Sequence, residues 1–553
     1  MTAETAIINA LVLPDPGQGT AAAAVAVAGG RVLAAGSTAE IRSLCGPETH
    51  IVDAEGGTVL PGFVESHMHL FLGAFSLKVL NLVDVTGSAD LRRAVQAFAA
   101  ASPDAPLLVA QGFAYGALEG GADPDRHVLD AICPHRPLLL QSSDFHNGWC
   151  NTIALKQAGI LNGRETAPGS EIVLDGSGTA TGLLIEPAAV ACVLALGEHG
   201  GREGLGLEGV EPAGAVTPDQ RAADKALLRE GLQHCAAQGI TTIINMDGNL
   251  YQAGLLRDIE AEGGLCCRVE LPYHVIPGEP LENVECAEAM RRDLGSEMLW
   301  CGRIKMFIDG VLDGYTAWRL DDYPDRPGEK GEPLHDPARL KELVTEFDRR
   351  GFQISVHAIG DGAVRGVLDA YEAARDANGP RDSRHRIEHI EMIAAEDIPR
   401  IAELGAVASL NPPHVPGSSD FPMQPTMDLI GKAHWAMSYP WKTLADAGAP
   451  VCFSSDWPVA VLPPLTGIGM AMNRTPFSAG EPDERLGFEA TLAAYTSGGA
   501  YAAHKDSAFG RLAPGMAADL VLLDRALTAA NAGEAAVRMT LCNGQVTYSA
   551  DAS

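Results

Sequence analysis

What most narrows the fold of this chain is an alternation: short runs of β-branched and apolar residues, bounded by glycine or proline, recur with longer helical patterns between them. That rhythm is the mark of repeated βα units around a parallel sheet. Eight such runs stand out: TVLPGFVESHMHL, GITTIINMD, CRVELPYHV, GRIKMFIDG, FQISVHAIGD, HRIEHIE, GAVASLNPP and PVCFSSDW. Helices are expected at 337–350 and 362–376, where apolar positions recur every three and four residues. Eight strands with helical crossovers predict an α/β fold, a (β/α)8 TIM barrel over 61–507. Residues from about 75 to 230 are too many for one βα connection, so they predict an inserted subdomain placed over the barrel mouth. Its stretch GEHGGREGLGLEGVEPAGAV reads as a mobile loop. Segments 1–60 and 508–553 each carry short hairpin-like runs, too few to bury a core alone, so the two are expected to pair into one small β-sandwich.

Chemistry concentrates at the ends of the predicted strands. His67 and His69, two apart in VESHMHL, project to one face of a strand, the barrel interior. A divalent metal would satisfy two buried imidazoles that otherwise lack partners. Lys305 lies inside an apolar strand, where an unpaired ammonium is disfavoured. Two readings fit it: an ion pair with Asp309, or reaction of the neutral amine with carbon dioxide to give a carbamate bridging two metals. His357 and His389 close further strands, and Asp456 follows the last. Strand ends converge on one cavity in this fold, which is where such residues assemble an active site. Nitrogen and carboxylate ligands suit Zn²⁺, with Mn²⁺, Fe²⁺ or Co²⁺ as alternatives. Trp318, with Trp149, Trp435, Trp457, Tyr315 and Phe145, lies in segments that follow or overhang strands, and so is a candidate for an apolar substrate pocket.

Taken in order, VESHMHL, Lys305 before IDG, VHAIGD, RIEHIE and SSDWPV resemble the amidohydrolase superfamily, in particular the YtcJ-like branch that includes N-substituted formamide deformylases. The likeness extends through FHNGWCNTIALKQAGI in the insert and FEATLAAYTSGGAYAAHKDSAFGRLAPGMAADLVLLD near the end. It implies a barrel with an N/C-terminal β-sandwich. It also implies that His67 and His69 hold one ion, that His357 and His389 hold another, that N6-carboxylated Lys305 bridges them, and that Asp456 contacts the first. Some members keep one metal and an unmodified lysine, so one or two ions are both compatible. Glu65 stands where the family commonly has aspartate, a departure that touches ligand support more than chemistry. His146, Asn151 and His414 are the substrate contacts the resemblance suggests.

The implied reaction is hydrolysis of a non-peptide C–N bond (an amide, N-substituted formamide or cyclic amide) by attack of metal-bound hydroxide, with Asp456 moving the proton. Deamination of a heterocycle is the main alternative, disfavoured because AIGDGA after His357 lacks the glutamate such enzymes use. Ester, lactone and carbamate substrates would meet the same nucleophile. A non-catalytic scaffold would lack ligands that are all present here. A net charge of −31 works against nucleic acid and anionic membranes as partners, which leaves a small amide-like molecule. Eleven scattered cysteines without a CxxC pair, no basic n-region at the N-terminus and no long apolar span predict a reducing, cytoplasmic setting. Oligomeric state is not written in the sequence, although barrels of this class often form homodimers.

Overall fold

A computed structural model describes residues 1–19, 21–142, 147–166, 170–418 and 421–552. The chain divides into two compact units: Met1–Leu70 with Leu207–Gly209 and Leu232–Ser553, and Phe71–Gly206 with Val210–Gly231.

The first unit is mixed α/β, built around eight parallel strands labelled here in chain order. They are β1 (Phe63–Met68), β2 (Ile240–Asn245), β3 (Arg268–Glu270, continued by Tyr273–His274), β4 (Leu299–Trp300, continued by Arg303–Phe307), β5 (Gln353–Ala358), β6 (Arg386–His389), β7 (Val407–Leu410) and β8 (Val451–Phe453). Each pairs in parallel with the next: β1 with β2, β2 with β3, and so on through β7 with β8. β8 packs beside β1, and the backbone N–H of Asp456 donates to His67 O at 2.8 Å. Parallel strands covered on both faces need apolar residues throughout, and β2 (ITTIIN) and β5 (QISVHA) are buried at every position.

Between β4 and β6 the crossover helices are Pro337–Arg349 and Asp361–Asn378. The first is capped by Asp336, whose side chain accepts from the N–H groups of Ala338 and Arg339, with proline at the first position. It buries Leu340, Leu343, Val344 and Phe347, one stripe at helical spacing, as its sequence predicts.

Both ends of the chain contribute to antiparallel-rich sheets in this unit. One sheet runs Arg31–Gly36, Ala24–Ala28, Ala3–Ile8, Cys45–Asp53; the other runs Leu11–Val12, Thr58–Pro61, Leu520–Leu523, Val537–Cys542, Gln545–Ser549. Ile7, Val25, Val59, Leu520, Leu522 and Leu541 share one core cluster, so apolar faces from both termini are buried together.

The second unit centres on a six-stranded sheet in which Leu138–Ser142 pairs in parallel with Leu108–Phe113. Its glycine-rich stretch is not an uninterrupted loop. Arg202–Leu205 forms a helical turn, with Arg202 and Glu203 buried. Arg202 there pairs with the buried Asp224, Nε to Oδ2 at 2.7 Å. No described helix is long and apolar enough to cross a membrane.

Candidate active site

The carboxyl ends of β1, β5, β6 and β8 bring His67, His357, His389 and Asp456 together in the first unit. Ring centroids of His67 and His389 are 4.8 Å apart, and those of His357 and His389 are 4.6 Å apart. His67, His389 and Asp456 each offer a ligand atom within 4.8 Å of the others. His389 and Asp456 have positive φ (77° and 63°), as does Ile390 (48°). Strand backbone is broken at these positions to aim side chains inward, the kind of local strain that functional sites retain.

Each histidine is oriented by a hydrogen bond on its far nitrogen. His67 Nδ1 donates to Glu388 Oε2 at 2.8 Å, and His69 Nδ1 to Asp247 Oδ1 at 2.7 Å. His389 Nδ1 donates to Asn411 Oδ1 at 2.9 Å, and His357 Nε2 to Gly310 O at 3.0 Å. Acceptors on those nitrogens fix the tautomers, so the opposite nitrogens present lone pairs, the arrangement that metal-ligating histidines adopt. Glu388 is itself gripped by Arg386 at 2.8 and 2.9 Å and by Ser355. Burial alone would raise Glu388, but Arg386 holds it well below the usual carboxylate range.

The near nitrogens then face one carboxylate. His67 Nε2 lies 3.3 Å and His69 Nε2 3.1 Å from Asp456 Oδ1, yet Oδ1 has no partner in hydrogen-bonding geometry among the described residues. Two imidazole nitrogens and a carboxylate oxygen converging in this way are a donor set that suits a divalent cation. Electrostatics agree. Burial lowers His69, but Asp247 and then Asp456 outweigh it and raise the ring to about 9, so this corner attracts positive charge. Burial and the Lys305 ammonium push His357 down to about 3, and burial drives His389 well below its ordinary value. Both rings are therefore neutral and able to ligate.

Lys305, on β4, is fully buried, and its Nζ has no hydrogen-bond partner among the described residues. It lies 4.5 Å over the Phe307 ring, which packs on His357. Burial lowers its pKa to about 8. The ion pair with Asp309 is absent: that carboxylate accepts backbone N–H groups from Trp318, Ile359 and Gly360 at 2.9, 3.1 and 2.9 Å. Asp309 thus staples the loops after β4 and β5, although burial still pushes it up to about 8.

Among the expected substrate contacts, His414 is the one drawn to this cluster. Its ring stacks on His389 (5.8 Å, 10°), and its Nε2 is 3.6 Å from Asp456 Oδ2. Asn151 does not serve as expected. It caps a helix in the second unit, its Oδ1 accepting from Leu138 and Ala154 N–H and its Nδ2 donating to Cys133 and Arg136 carbonyls, so its amide has no capacity left for substrate. Trp318 is half-buried with its ring pressed on the helix at Gly366, a packing role. Trp149 is buried in the second unit's core, T-shaped against Phe113. His146 and Phe145 lie outside the described residues.

Glu388, Asp247 and Asn411 were not foreseen as parts of the site's support, whereas Glu65 was expected to bear on it. Glu65 is buried and raised to about 8 by burial, and its Oε1 accepts from Ser455 N–H at 2.8 Å, tying β1 to the turn that carries Asp456. For Glu388 and Glu65 the signal available was a carboxylate inside a buried strand, next to or two residues from an expected ligand.

The amidohydrolase family's sequence profile matches residues 50–548. The chain belongs to that family. It is accordingly a hydrolase, and similar sequences span nearly its whole length. LONG AFTER FAR-RED 3 of Arabidopsis thaliana is 29% identical, over 95% of this chain and 87% of its own. YtcJ of Bacillus subtilis (strain 168) is 28% identical over 96% and 97%. The N-substituted formamide deformylase of Arthrobacter pascens is 26% identical over 94% and 93%. In structure, this amidohydrolase is similar to uncharacterized metal-dependent hydrolases from Pyrococcus furiosus (TM-score 0.72, 24% identity, 94% of this chain and 99% of that one) and Pyrococcus horikoshii OT3 (0.75, 21%, 96% and 99%). At those identities the likeness speaks for the fold.

Proposed function

We propose that this amidohydrolase hydrolyses a non-peptide C–N bond of a small molecule, an amide, N-substituted formamide or cyclic amide, at the strand-end site. In this reading the eight parallel strands close as a (β/α)8 barrel, with the paired chain ends as its β-sandwich. The observation that carries the reading is the convergence of His67 Nε2 and His69 Nε2 on Asp456 Oδ1 at 3.3 and 3.1 Å, with Oδ1 lacking a hydrogen-bond partner among the described residues.

His67, His69 and Asp456 would hold one divalent cation, zinc by donor type, and His357 with His389 a second. Lys305 would join them as a carbamate. Support comes from its unpartnered amine, which burial holds near the range where a neutral nucleophile is available. The cations supply Lewis acidity and a water acidified from about 15.7 towards 7. Asp456, with one oxygen towards the histidines and the other 3.6 Å from His414 Nε2, is placed to take a proton and return it to the leaving nitrogen. His414 would donate to the carbonyl oxygen as that atom gains charge, a role supported by its stacking on His389.

Elemental analysis of purified protein, with release of benzylamine from N-benzylformamide as the activity, tests this. Two ions per chain, fewer in Lys305→Ala, and at least a 100-fold loss of turnover in Asp456→Asn are expected. One ion unaffected by Lys305→Ala would remove the bridged site and turn the search to heterocycle deamination. Absence of bound metal would overturn the catalytic reading.

A further inference from the structure

Two residues past His389, the chain carries Glu391 out from the carboxyl end of β6. Positive φ at His389 and Ile390 (77° and 48°) turns the backbone there, and Glu391 O accepts from Tyr439 N–H at 2.9 Å, so main-chain contacts set the residue's place. Glu391 is 7% exposed. Its side chain is nonetheless not sealed, because it keeps some exposure and neither oxygen is a buried atom without a partner.

No lysine or arginine pairs with Glu391 among the described residues. His414 Nδ1 lies 3.7 Å from Glu391 Oε1, too long for a hydrogen bond, so this carboxylate does not hold its neighbouring ring as Glu388 holds His67. The other nitrogen of His414, Nε2, is buried without a hydrogen-bond partner and lies 3.6 Å from Asp456 Oδ2. Glu391 therefore stands one imidazole away from the residue placed to move the proton. Its charge is felt nearby. It adds to the rise that burial imposes on Asp309, and burial, then Glu391 and Asp313, hold the Tyr439 phenol well above its ordinary value. Arg474 acts the other way on Tyr439, but its guanidinium donates to the Tyr439 and Ser438 carbonyls. A carboxylate withdrawn this far from water is costly unless a cation joins it.

We propose that Glu391 selects the substrate: a small amide carrying a further, cationic nitrogen that pairs with this carboxylate while the scissile C–N bond lies at Asp456. The proposal rests on the strand-end site being the hydrolytic one. An anionic substituent would be repelled by Glu391, and a neutral one would leave it without a counter-ion. An ammonium answers it with charge-assisted hydrogen bonds, roughly twice as strong as those between neutral groups. With one imidazole between Glu391 and Asp456, a single aromatic ring is a spacer of matching length between the cation and the bond to be cut.

Three N-benzylformamides with different para substituents test the proposal: aminomethyl (cationic), methyl (neutral) and carboxylate (anionic). kcat/KM is measured for each with the purified protein and with Glu391→Gln. The parent should prefer the cationic over the neutral compound by about tenfold or more, with the anionic one poorest, and Glu391→Gln should bring the first two within about threefold of each other. Circular-dichroism melting checks the variant's fold; should it not fold, Glu391→Ser replaces it. A parent indifferent to charge would overturn the proposal without any variant. An equal loss on all three compounds in Glu391→Gln would also overturn it, because Glu391 would then support the site without selecting. If no compound is turned over, the reaction assigned to the site fails separately, and calorimetric titration of the same compounds into parent and variant reads the preference as binding. Tighter binding of the cationic compound, lost in Glu391→Gln, would then sustain the proposal. Binding without that preference, or no binding, would overturn it.

Discussion

At the scale of single residues, the strand-end site depends on groups one step removed from any ligand. Glu388 is the clearest: it fixes the His67 tautomer while Arg386 keeps it ionised. Replacing it with glutamine should leave the fold intact and weaken metal binding by about 10–100-fold, measured by chelator competition. Unchanged affinity would show that His67 needs no such support. Lys305 gives a second expectation. An unpaired buried ammonium costs free energy, so Lys305→Met should raise the melting temperature of chelator-treated protein by roughly 1–3 °C while reducing the ions bound per chain. A lower melting temperature would mean that the amine is better satisfied than its surroundings indicate. The histidines, Lys305 and Asp456 were legible in the sequence because each is costly inside an apolar strand unless it has a purpose. Glu388, Asp247 and Asn411 were not, because their role depends on cross-strand register: Glu388 lies opposite His357 on β5, whereas its partner His67 is 321 residues away in sequence. Asn151 misled for the converse reason, since a capping amide and a substrate-binding amide look alike until their partners are seen.

At the scale of elements, the strand runs and the helices at 337–350 and 362–376 emerged where periodicity placed them, shifted by a residue or two at the ends. The periodic signal was strong there because these strands are buried on both faces. It was weak in the glycine-rich stretch of the second unit, where Arg202 and Asp224 provide the order instead. Polar clamps of this kind also hold the parallel strands to their helices. Asp348, near the end of the helix Pro337–Arg349, accepts from Arg381 at 2.6 Å and Asn378 at 2.8 Å and lies 3.1 Å from His385 Nε2. Burial would raise its pKa, but His385, Asn378 and Arg381 together hold it at about 2, below its ordinary 3.8. A carboxylate depressed on folding contributes stability above the unfolded value and loses it as pH falls through the folded one. Asp348→Asn should therefore cost about 1–3 kcal/mol in urea unfolding at pH 7. Its deficit relative to the parent should shrink between pH 4 and 2. A deficit that stayed constant with pH would assign the loss to packing rather than charge.

At the scale of the whole molecule, a net charge of −31 is repulsive energy that the fold must carry. Raising salt from about 0.01 to about 1 M shortens the screening length from roughly 30 to 3 Å. The melting temperature should rise over that range in a non-chelating buffer. A fall would mean that the many surface ion pairs outweigh the repulsion. The paired chain ends have a temporal consequence. Thr58–Pro61 lies between Leu11–Val12 and Leu520–Leu523, and its second neighbour is some 460 residues further along. At about 5–20 residues per second, a ribosome needs roughly 20–90 s to deliver that partner. Throughout that interval the nascent chain displays an apolar strand with one bare edge, which makes this sheet a late closure and a natural point for chaperones to engage.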